Sequence, residues 1–167
     1  MAVVTTKSGP VTNRDATPRV PVNGHLAGGQ VCESVGTIET TGSDSAGSKY
    51  ILCMGIPSSS RVTEVLLSCD GNNTNGAMDI GIYKSTSDGG AVVDADFFAS
   101  AQAIGTILTK SNVTHESGVY NIDDVEKPLW SALGLTSDPG LLYDVVATIT
   151  TADDAADTIS LNVKFVI

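Results

Sequence analysis

The chain has 167 residues, of which 41% are hydrophobic and only 17% are charged, and it contains 17 glycines. This length suits one domain with a self-supporting core, and the abundance of glycine and short polar residues is typical of many turns and strands. Nineteen acidic and nine basic residues give a formal net charge of −10. Because no Lys/Arg cluster offsets this charge, phosphates would repel the chain, and nucleic acid is not an expected partner.

A membrane partner is not expected either. No run approaches the roughly 18 consecutive apolar residues of a membrane helix, and the start, MAVVTTKSGP, lacks a cationic segment followed by an apolar one. We therefore expect the chain to be made and kept in a cytoplasm, unless it leaves inside or upon a larger assembly.

The first 29 residues differ in composition from the rest. They show no sustained period, end in a glycine pair, and hold three of the six prolines: Pro10, Pro18 and Pro21. This pattern predicts an extended N-terminal arm over residues 1–29, followed by one domain over residues 30–167.

The arm also differs in charge. It has three basic residues and one acidic residue, Lys7, Arg14, Arg19 and Asp15, so it carries +2 and the domain −12. Proline-fixed backbone loses little entropy on binding, and its amides can extend the sheet of a neighbour. The arm is thus predicted to be either a strap that docks onto a partner or a disordered tail without one.

Short apolar runs between turn residues dominate the next 60 residues. Residues 31–41 predict a first strand. Residues 49–57, KYILCMGIP, and 61–70, RVTEVLLSCD, are apolar on nearly both faces, which predicts neighbouring strands near the centre of the fold. In residues 77–84, Met78, Ile80 and Ile82 share one face, as in a half-buried strand.

The middle of the chain is less regular. Residues 94–104, DADFFASAQAI, are predicted to form a short helix whose Phe97 and Phe98 help to close the core. Residues 103–109 and 118–122 are predicted to be strands.

The spacing of the apolar residues changes at residue 127. Pro128 suits a first helical position, acidic residues precede it, and Gly134 supplies a left-handed stop. The spacing predicts a helix of about two turns, in which Leu129, Trp130 and Leu133 form an apolar face. Trp130 is expected to plug an open end of the fold rather than to stack on a ligand.

The chain closes with two strands. Residues 142–150 and 158–167 alternate, and in TISLNVKFVI every second side chain from Ile159 to Ile167 is apolar. About eight antiparallel strands without long helices predict an all-β fold, a β-sandwich or jelly roll with one or two short helices.

Residues that carry chemistry are sparse. His25 lies in the arm and His115 in a polar loop, and no Gly-x-Ser-x-Gly signature is present, which argues against a serine hydrolase. A hydrolase with two carboxylates stays open as an alternative, because 19 acidic residues allow many pairs. We expect no catalytic residues, no cofactor-binding residues and no metal ligands.

The turn carboxylates and the cysteines have simpler interpretations. Asp153, Asp154 and Asp157, like Asp94 and Asp96, resemble fragments of calcium loops, but the full pattern is absent. They are therefore interpreted as solvated turn carboxylates, with calcium as the alternative. The three cysteines, Cys32, Cys53 and Cys69, lack metal-site spacing and are predicted to be buried, reduced thiols in strands.

The last 90 residues or so carry a family resemblance. Pro-Leu-Trp with Leu-Gly-Leu (128–130 and 133–135), Asp-Pro-Gly (138–140) and Tyr-Asp-Val (143–145), together with GIYKSTSDGGAVVDADFFASA (81–101), resemble small structural proteins of tailed bacteriophages. These proteins are similar in kind to capsid decoration or cement proteins, many of which are β-sandwiches or jelly rolls. The resemblance brings no catalytic residues.

This resemblance implies a structural virion protein. It would decorate the capsid surface, bind and stabilise the major capsid protein, form a homo-oligomer such as a dimer or trimer, and be assembled in the host cytoplasm. The alternatives are another head, neck or tail component and a carbohydrate-binding or host-recognition β-module. The mark of such a module would be an exposed aromatic side chain, with Tyr83, Tyr120 and Trp130 as candidates.

Overall fold

The structure is a computed structural model that describes residues 4–167. Its framework has eight strands: β1 (Val31–Glu39), β2 (Lys49–Pro57), β3 (Arg61–Cys69), β4 (Ala77–Lys84), β5 (Val92–Ala103), β6 (Leu108–Asn112), β7 (Leu142–Thr151) and β8 (Thr158–Val166). Two short α-helices are present, α1 (Gly9–Asp15) and α2 (Leu129–Ala132), with 3₁₀ helices at Gly24–Leu26, Thr86–Asp88 and Ile122–Glu126. No helix in this part of the chain is both long and apolar enough to cross a membrane.

The strands form two antiparallel sheets of four. The first has the order β1-β8-β3-β6 and the second β2-β7-β4-β5. The pairs β1 with β8, β2 with β7, β3 with β6 and β4 with β5 are those of a long hairpin rolled into two layers, which is the topology of a jelly roll. The predicted all-β class is confirmed, and of the two predicted architectures the chain adopts the jelly roll.

The core lies between the sheets and follows the sequence alternation. In β8, Ile159, Leu161 and Val163 are fully buried, while the residues between them point outward and are only half-buried. In β4, Met78, Ile80 and Ile82 are fully buried, as predicted. Each half-apolar sheet thus covers the other, and burial of apolar surface at about 25 cal/mol per Å² supplies the main stabilisation.

The connections gather at two ends of the jelly roll. We call one the loop end; it holds four of the six connections that cross between the sheets, residues 40–48, 70–76, 104–107 and 152–157. We call the other the arm end; it holds the start of β1, the end of β8, and residues 58–60, 85–91 and 113–141.

The prediction that residues 49–57 and 61–70 are neighbours in the centre was wrong. β2 is an edge strand of the second sheet, whereas β3 lies in the first sheet between β8 and β6. The three-residue turn after Pro57 does not fold back into a hairpin but carries the chain from one sheet to the other. The apolar residues on the outer side of β2, Ile51 and Met54, are exposed instead of covered.

The predicted helix over residues 94–104 was also wrong, because these residues belong to β5. Phe97, Phe98 and Ala99 are consecutively buried, and the pairing of β5 with β4 shifts register several times. The backbone thus bends along the strand, which lets neighbouring side chains enter the core. Pairing with β4 overrides a local sequence rich in alanine.

Two further strand predictions need correction. Residues 118–122 do not form a strand: Gly118 has a φ of 72°, and the Tyr120 N–H makes an isolated bond to Phe97 O of 3.2 Å. A 3₁₀ helix then begins at Ile122. The strand predicted over 103–109 begins only at Leu108, since Ala103 ends β5 and residues 104–107 form a crossover.

The predicted helix near Trp130 exists but is shorter than expected. α2 has only four residues, Pro128 caps its start, and Gly134 has the predicted left-handed φ of 75°. Leu129, with 1% of its surface exposed, is the residue of this helix that enters the core, whereas Trp130 is only half-buried. The prediction that Trp130 closes this end of the core was therefore wrong; Leu129 and Tyr120 close it instead.

Candidate functional site

The arm meets the jelly roll at a defined anchor. Gln30 and Ile167 exchange two backbone hydrogen bonds of 3.0 Å, which extends the β1–β8 ladder by one pair. Arg61, at the start of β3, donates from Nη2 to His25 O at 2.9 Å and from Nη1 to Val125 O at 2.7 Å. A guanidinium suits this role because its five donors form a rigid fork. Arg61 therefore joins the arm to both a strand and a 3₁₀ helix.

The described part of the arm, residues 4–29, contains no buried residue; residues 1–3 of the predicted arm lie outside the described residues. It is not extended throughout, because Gly9–Asp15 forms α1 with Pro10 in its first turn. Its charges are mostly paired internally: Arg14 and Lys7 contact Asp15 at 2.8 and 2.9 Å and hold the pKa of that carboxyl below its usual value. Ion pairs this exposed are weak, so rearranging them on a partner costs little.

Exposed apolar side chains are concentrated near the arm. In residues 4–167 fourteen large hydrophobic side chains are exposed. Eleven belong to the arm or to the arm-end half of the jelly roll: Val4, Val20, Val31, Met54, Val92, Val93, Val119, Ile122, Leu135, Leu142 and Ile167. Val35 lies at the middle of β1, whereas Ile51 of β2 and Ile107 lie in the loop-end half. Exposed apolar surface can mark an interaction site, so the arm end, which holds most of it, is the candidate functional site.

The structure assembles no nucleophile around either histidine. His115 Nδ1 lies 2.8 Å from Tyr120 O, and its ring stacks on that of Tyr120 at 5.4 Å. Neither histidine hydrogen-bonds a hydroxyl group in residues 4–167. His25 contributes its backbone carbonyl to the arm anchor.

The thiols lie where the sequence predicted, in β1, β2 and β3. All three are free, with Cys53 and Cys69 buried and Cys32 half-buried. Burial raises the pKa of the Cys53 thiol to about 11 and also raises that of Cys69. Both buried thiols are therefore protonated and unreactive near neutral pH.

The turn carboxylates are less solvated than predicted. Asp153 and Asp157 are 8% and 1% exposed, and burial raises the pKa of both. Asp157 accepts a 2.9 Å bond from Asp70 N, and Asp153 accepts one from the Asn73 side chain. Across residues 4–167 no three His, Cys, Asp or Glu side chains group in a way that could hold a metal ion. Asp153 and Asp157 thus serve as ties between loops.

Two of the three aromatic candidates for sugar stacking are buried. Tyr120 is 1% exposed, packs against Phe97 and Phe98, and donates to Val62 O at 2.6 Å. Tyr83 is 4% exposed and lies under the Lys49 ammonium, 5.0 Å from its ring centre. Only Trp130 is partly accessible.

The sequence predicts an arm, but it does not predict the contacts of Arg61 with the arm. Arg61 was assigned only to a strand, although a single arginine opening an otherwise apolar run is a detectable signal. Met54 and Leu142 were assigned to strands without notice of their exposure, and Asp144 without notice of its burial. No sequence signal marks the exposure of Met54 and Leu142 or the burial of Asp144, since each depends on neighbours from other strands.

Known proteins supply a fold comparison. No protein-family model and no curated protein matches the chain. A chain in the structure of the cyanophage Pam1 capsid asymmetric unit is similar over 99% of both chains, with a TM-score of 0.54 and 19% identity. A chain in the capsid of Ralstonia phage GP4 is similar over 87% of this chain and 88% of that one, with a TM-score of 0.57 and 18% identity. The chain therefore shares its fold with a chain in each of these two phage capsids.

Proposed function

We propose that this chain is a structural virion protein of a tailed phage, which decorates the capsid surface, binds the major capsid protein and stabilises the shell. The observation that carries this proposal is the arm end, where the arm and the adjoining half of the jelly roll together hold eleven of the fourteen large apolar side chains exposed in residues 4–167. The fold shared with two phage capsid chains supports the assignment to a capsid rather than to another assembly.

In this role the function is binding and not catalysis. Each contact at the arm end is modest, but a shell repeats the contact by symmetry, so many weak contacts add up to strong attachment. The protein binds as a homo-oligomer, a dimer or trimer, and joins the particle during assembly in the host cytoplasm. The net charge of −10 keeps the free protein soluble before it binds.

The first test is deletion of residues 1–29, measured by co-sedimentation with capsid shells that lack this protein. We expect the full chain to sediment with the shells and the deletion variant to stay in the supernatant. The variant should still fold, because residues 4–29 contain no buried side chain and Arg61 keeps its bond to Val125 O. Circular dichroism and thermal unfolding check this. Undiminished sedimentation of the folded variant would contradict the strap role.

A matched pair of point variants tests which end faces the shell. Ile122 and Ile107 are 77% and 75% exposed, at the arm end and the loop end respectively. Ile122→Asp places a charge on the proposed contact surface and should weaken sedimentation, whereas Ile107→Asp should leave it unchanged. The reverse order would place the shell at the loop end and refute the proposed orientation.

A further inference from the structure

A groove of about 380 Å³ lies on the outer face of the second sheet at the arm end. Met54 and Gly55 of β2 form one wall, Leu142 and Asp144 of β7 the floor, and residues 85–88 the other wall. β2 shifts register twice here, and Gly55 has a φ of 76°. This bulged backbone leaves Met54 75% exposed, beside Leu142 at 50%. The groove therefore offers two apolar side chains to a partner.

The groove also contains a carboxylate with an oxygen that is free to bind a partner. Asp144 is 7% exposed, and its side chain receives a single hydrogen bond in residues 4–167, to Oδ1 from Gly55 N at 3.4 Å. That distance is at the long limit for an N–H···O bond. The other oxygen makes no hydrogen bond in these residues and is not enclosed by the protein, so it can accept hydrogen bonds from a partner. Asp144 has no cation in the described part of the chain, and Asp88 adds a second negative charge at the rim.

The arm carries a segment with the complementary chemistry. All four residues of Pro18-Arg19-Val20-Pro21 are exposed, and the two prolines fix part of the backbone before binding. Arg19 is the one basic residue of the arm without an ion pair in residues 4–167, and Val20 beside it is 46% exposed. The Val20 N–H donates to Asn13 O at 3.1 Å, which ties the segment to α1. The segment thus presents a cation and an apolar side chain next to each other.

We infer that the groove of one copy binds the Arg19–Val20 segment of a second copy, with the Arg19 guanidinium on Asp144 and Val20 between Met54 and Leu142. An arginine fork fits a carboxylate with two parallel hydrogen bonds, which would supply the partner that Asp144 lacks. The chain's own segment lies outside its own groove, exposed, with the arm anchored on the other sheet by Arg61. The inference rests on the proposed decoration role, in which copies lie side by side on a shell.

The test is disulfide trapping of the free protein. Val20→Cys and Leu142→Cys are combined in a Cys32→Ala background, which leaves only the two buried native thiols. Mild oxidation should give a disulfide between chains, seen as dimers or longer chains on a non-reducing gel. Val20→Cys with Ile107→Cys is the matched control, since residue 107 is exposed at the loop end, and it should give no such band. Val20→Cys with Met54→Cys is a second pair expected to cross-link.

Adding Arg19→Glu to the trapping pair should lower the cross-linked fraction about tenfold or more, as expected for loss of about 1.4 kcal/mol of pairing energy. Thermal unfolding confirms that each variant is folded. A disulfide within one chain, equal trapping by the control pair, or no band from either test pair would overturn the inference. Because no shell is present, these outcomes are independent of the co-sedimentation that tests the decoration role.

Discussion

The two ends of this jelly roll differ in how their loops and apolar side chains are arranged. At the loop end four crossovers are bound to one another, and Ile107 is the single large apolar side chain exposed there in residues 4–167. At the arm end the apolar side chains are exposed and the arm is attached through few contacts. The difference is that the chain's own loops close one end, whereas the other end exposes apolar side chains to solvent.

Polar hydrogen bonds connect the loops at the loop end. Thr40 and Asp157 exchange bonds, Thr40 N to Asp157 O at 2.9 Å and Asp157 N to Thr40 Oγ1 at 3.1 Å. Asp153 N donates to Asp44 O at 3.0 Å, and Asp44 accepts a bond from Tyr50 Oη at 2.6 Å. These hydrogen bonds join residues 40–48 to residues 152–157 and to β2, so the two loops bind each other.

The largest expected effect concerns what closes the arm end. Tyr120→Ala should lower the free energy of unfolding by about 3–5 kcal/mol, because it empties a fully buried aromatic site and removes the bond to Val62 O. Trp130→Ala should cost clearly less, since Trp130 is only half-buried. Urea unfolding of both variants measures the contrast. A greater loss of unfolding free energy for Trp130→Ala would show that Trp130, and not Tyr120, closes the arm end.

The regular strands were predictable because their alternation is local. β2 and β4 have the predicted bounds, and β1, β3, β7 and β8 differ by one or two residues at most, since burial on one face of a strand leaves a two-residue period in the sequence. β5 was missed because Phe97 and Phe98 enter the core consecutively, and the register shifts that allow this come from β4. Which sheet each strand joins was likewise invisible, because it depends on strand pairs remote in sequence.

The candidate site was predictable only in outline. Proline content and charge separated residues 1–29 from the rest, but the anchor at Arg61 and the carboxylate of Asp144 exist only through tertiary neighbours. The burial of the turn carboxylates likewise depends on tertiary neighbours and was not predicted. Asp153 and Asp157 were predicted to be solvated because they lie in a polar turn, and they are buried because two other crossovers fold over them.

A smaller loss of stability is expected when a hydrogen bond between the loops of the loop end is removed. Asp157→Ala removes the acceptor of Asp70 N and should lower the free energy of unfolding by about 1–3 kcal/mol, the cost of leaving a buried polar group unpaired. Asp154→Ala is the matched control: in the same turn Asp154 accepts a 3.0 Å bond from Thr74 N but is exposed. Water can replace that bond, so its loss should cost less, about 0.5 kcal/mol. Equal losses in thermal or urea unfolding would show that burial of Asp157 is unimportant.

The smallest effect is a difference in pH dependence between the two ends. Burial raises the pKa of Asp153, so its contribution to stability is present below the unfolded pKa and is lost as pH rises through the folded one. Bonds from Ser58 Oγ and Gly140 N lower the pKa of Asp138 at the arm end, so its contribution is present above the unfolded pKa and is lost as pH falls. As pH rises from about 3 to 7, across the usual carboxyl range, the melting temperature of Asp153→Asn should therefore rise relative to the unsubstituted protein, while that of Asp138→Asn should fall relative to it. Thermal unfolding across this range measures both slopes, and slopes of the same sign would mean that the two ends do not differ in how their carboxylates are stabilised.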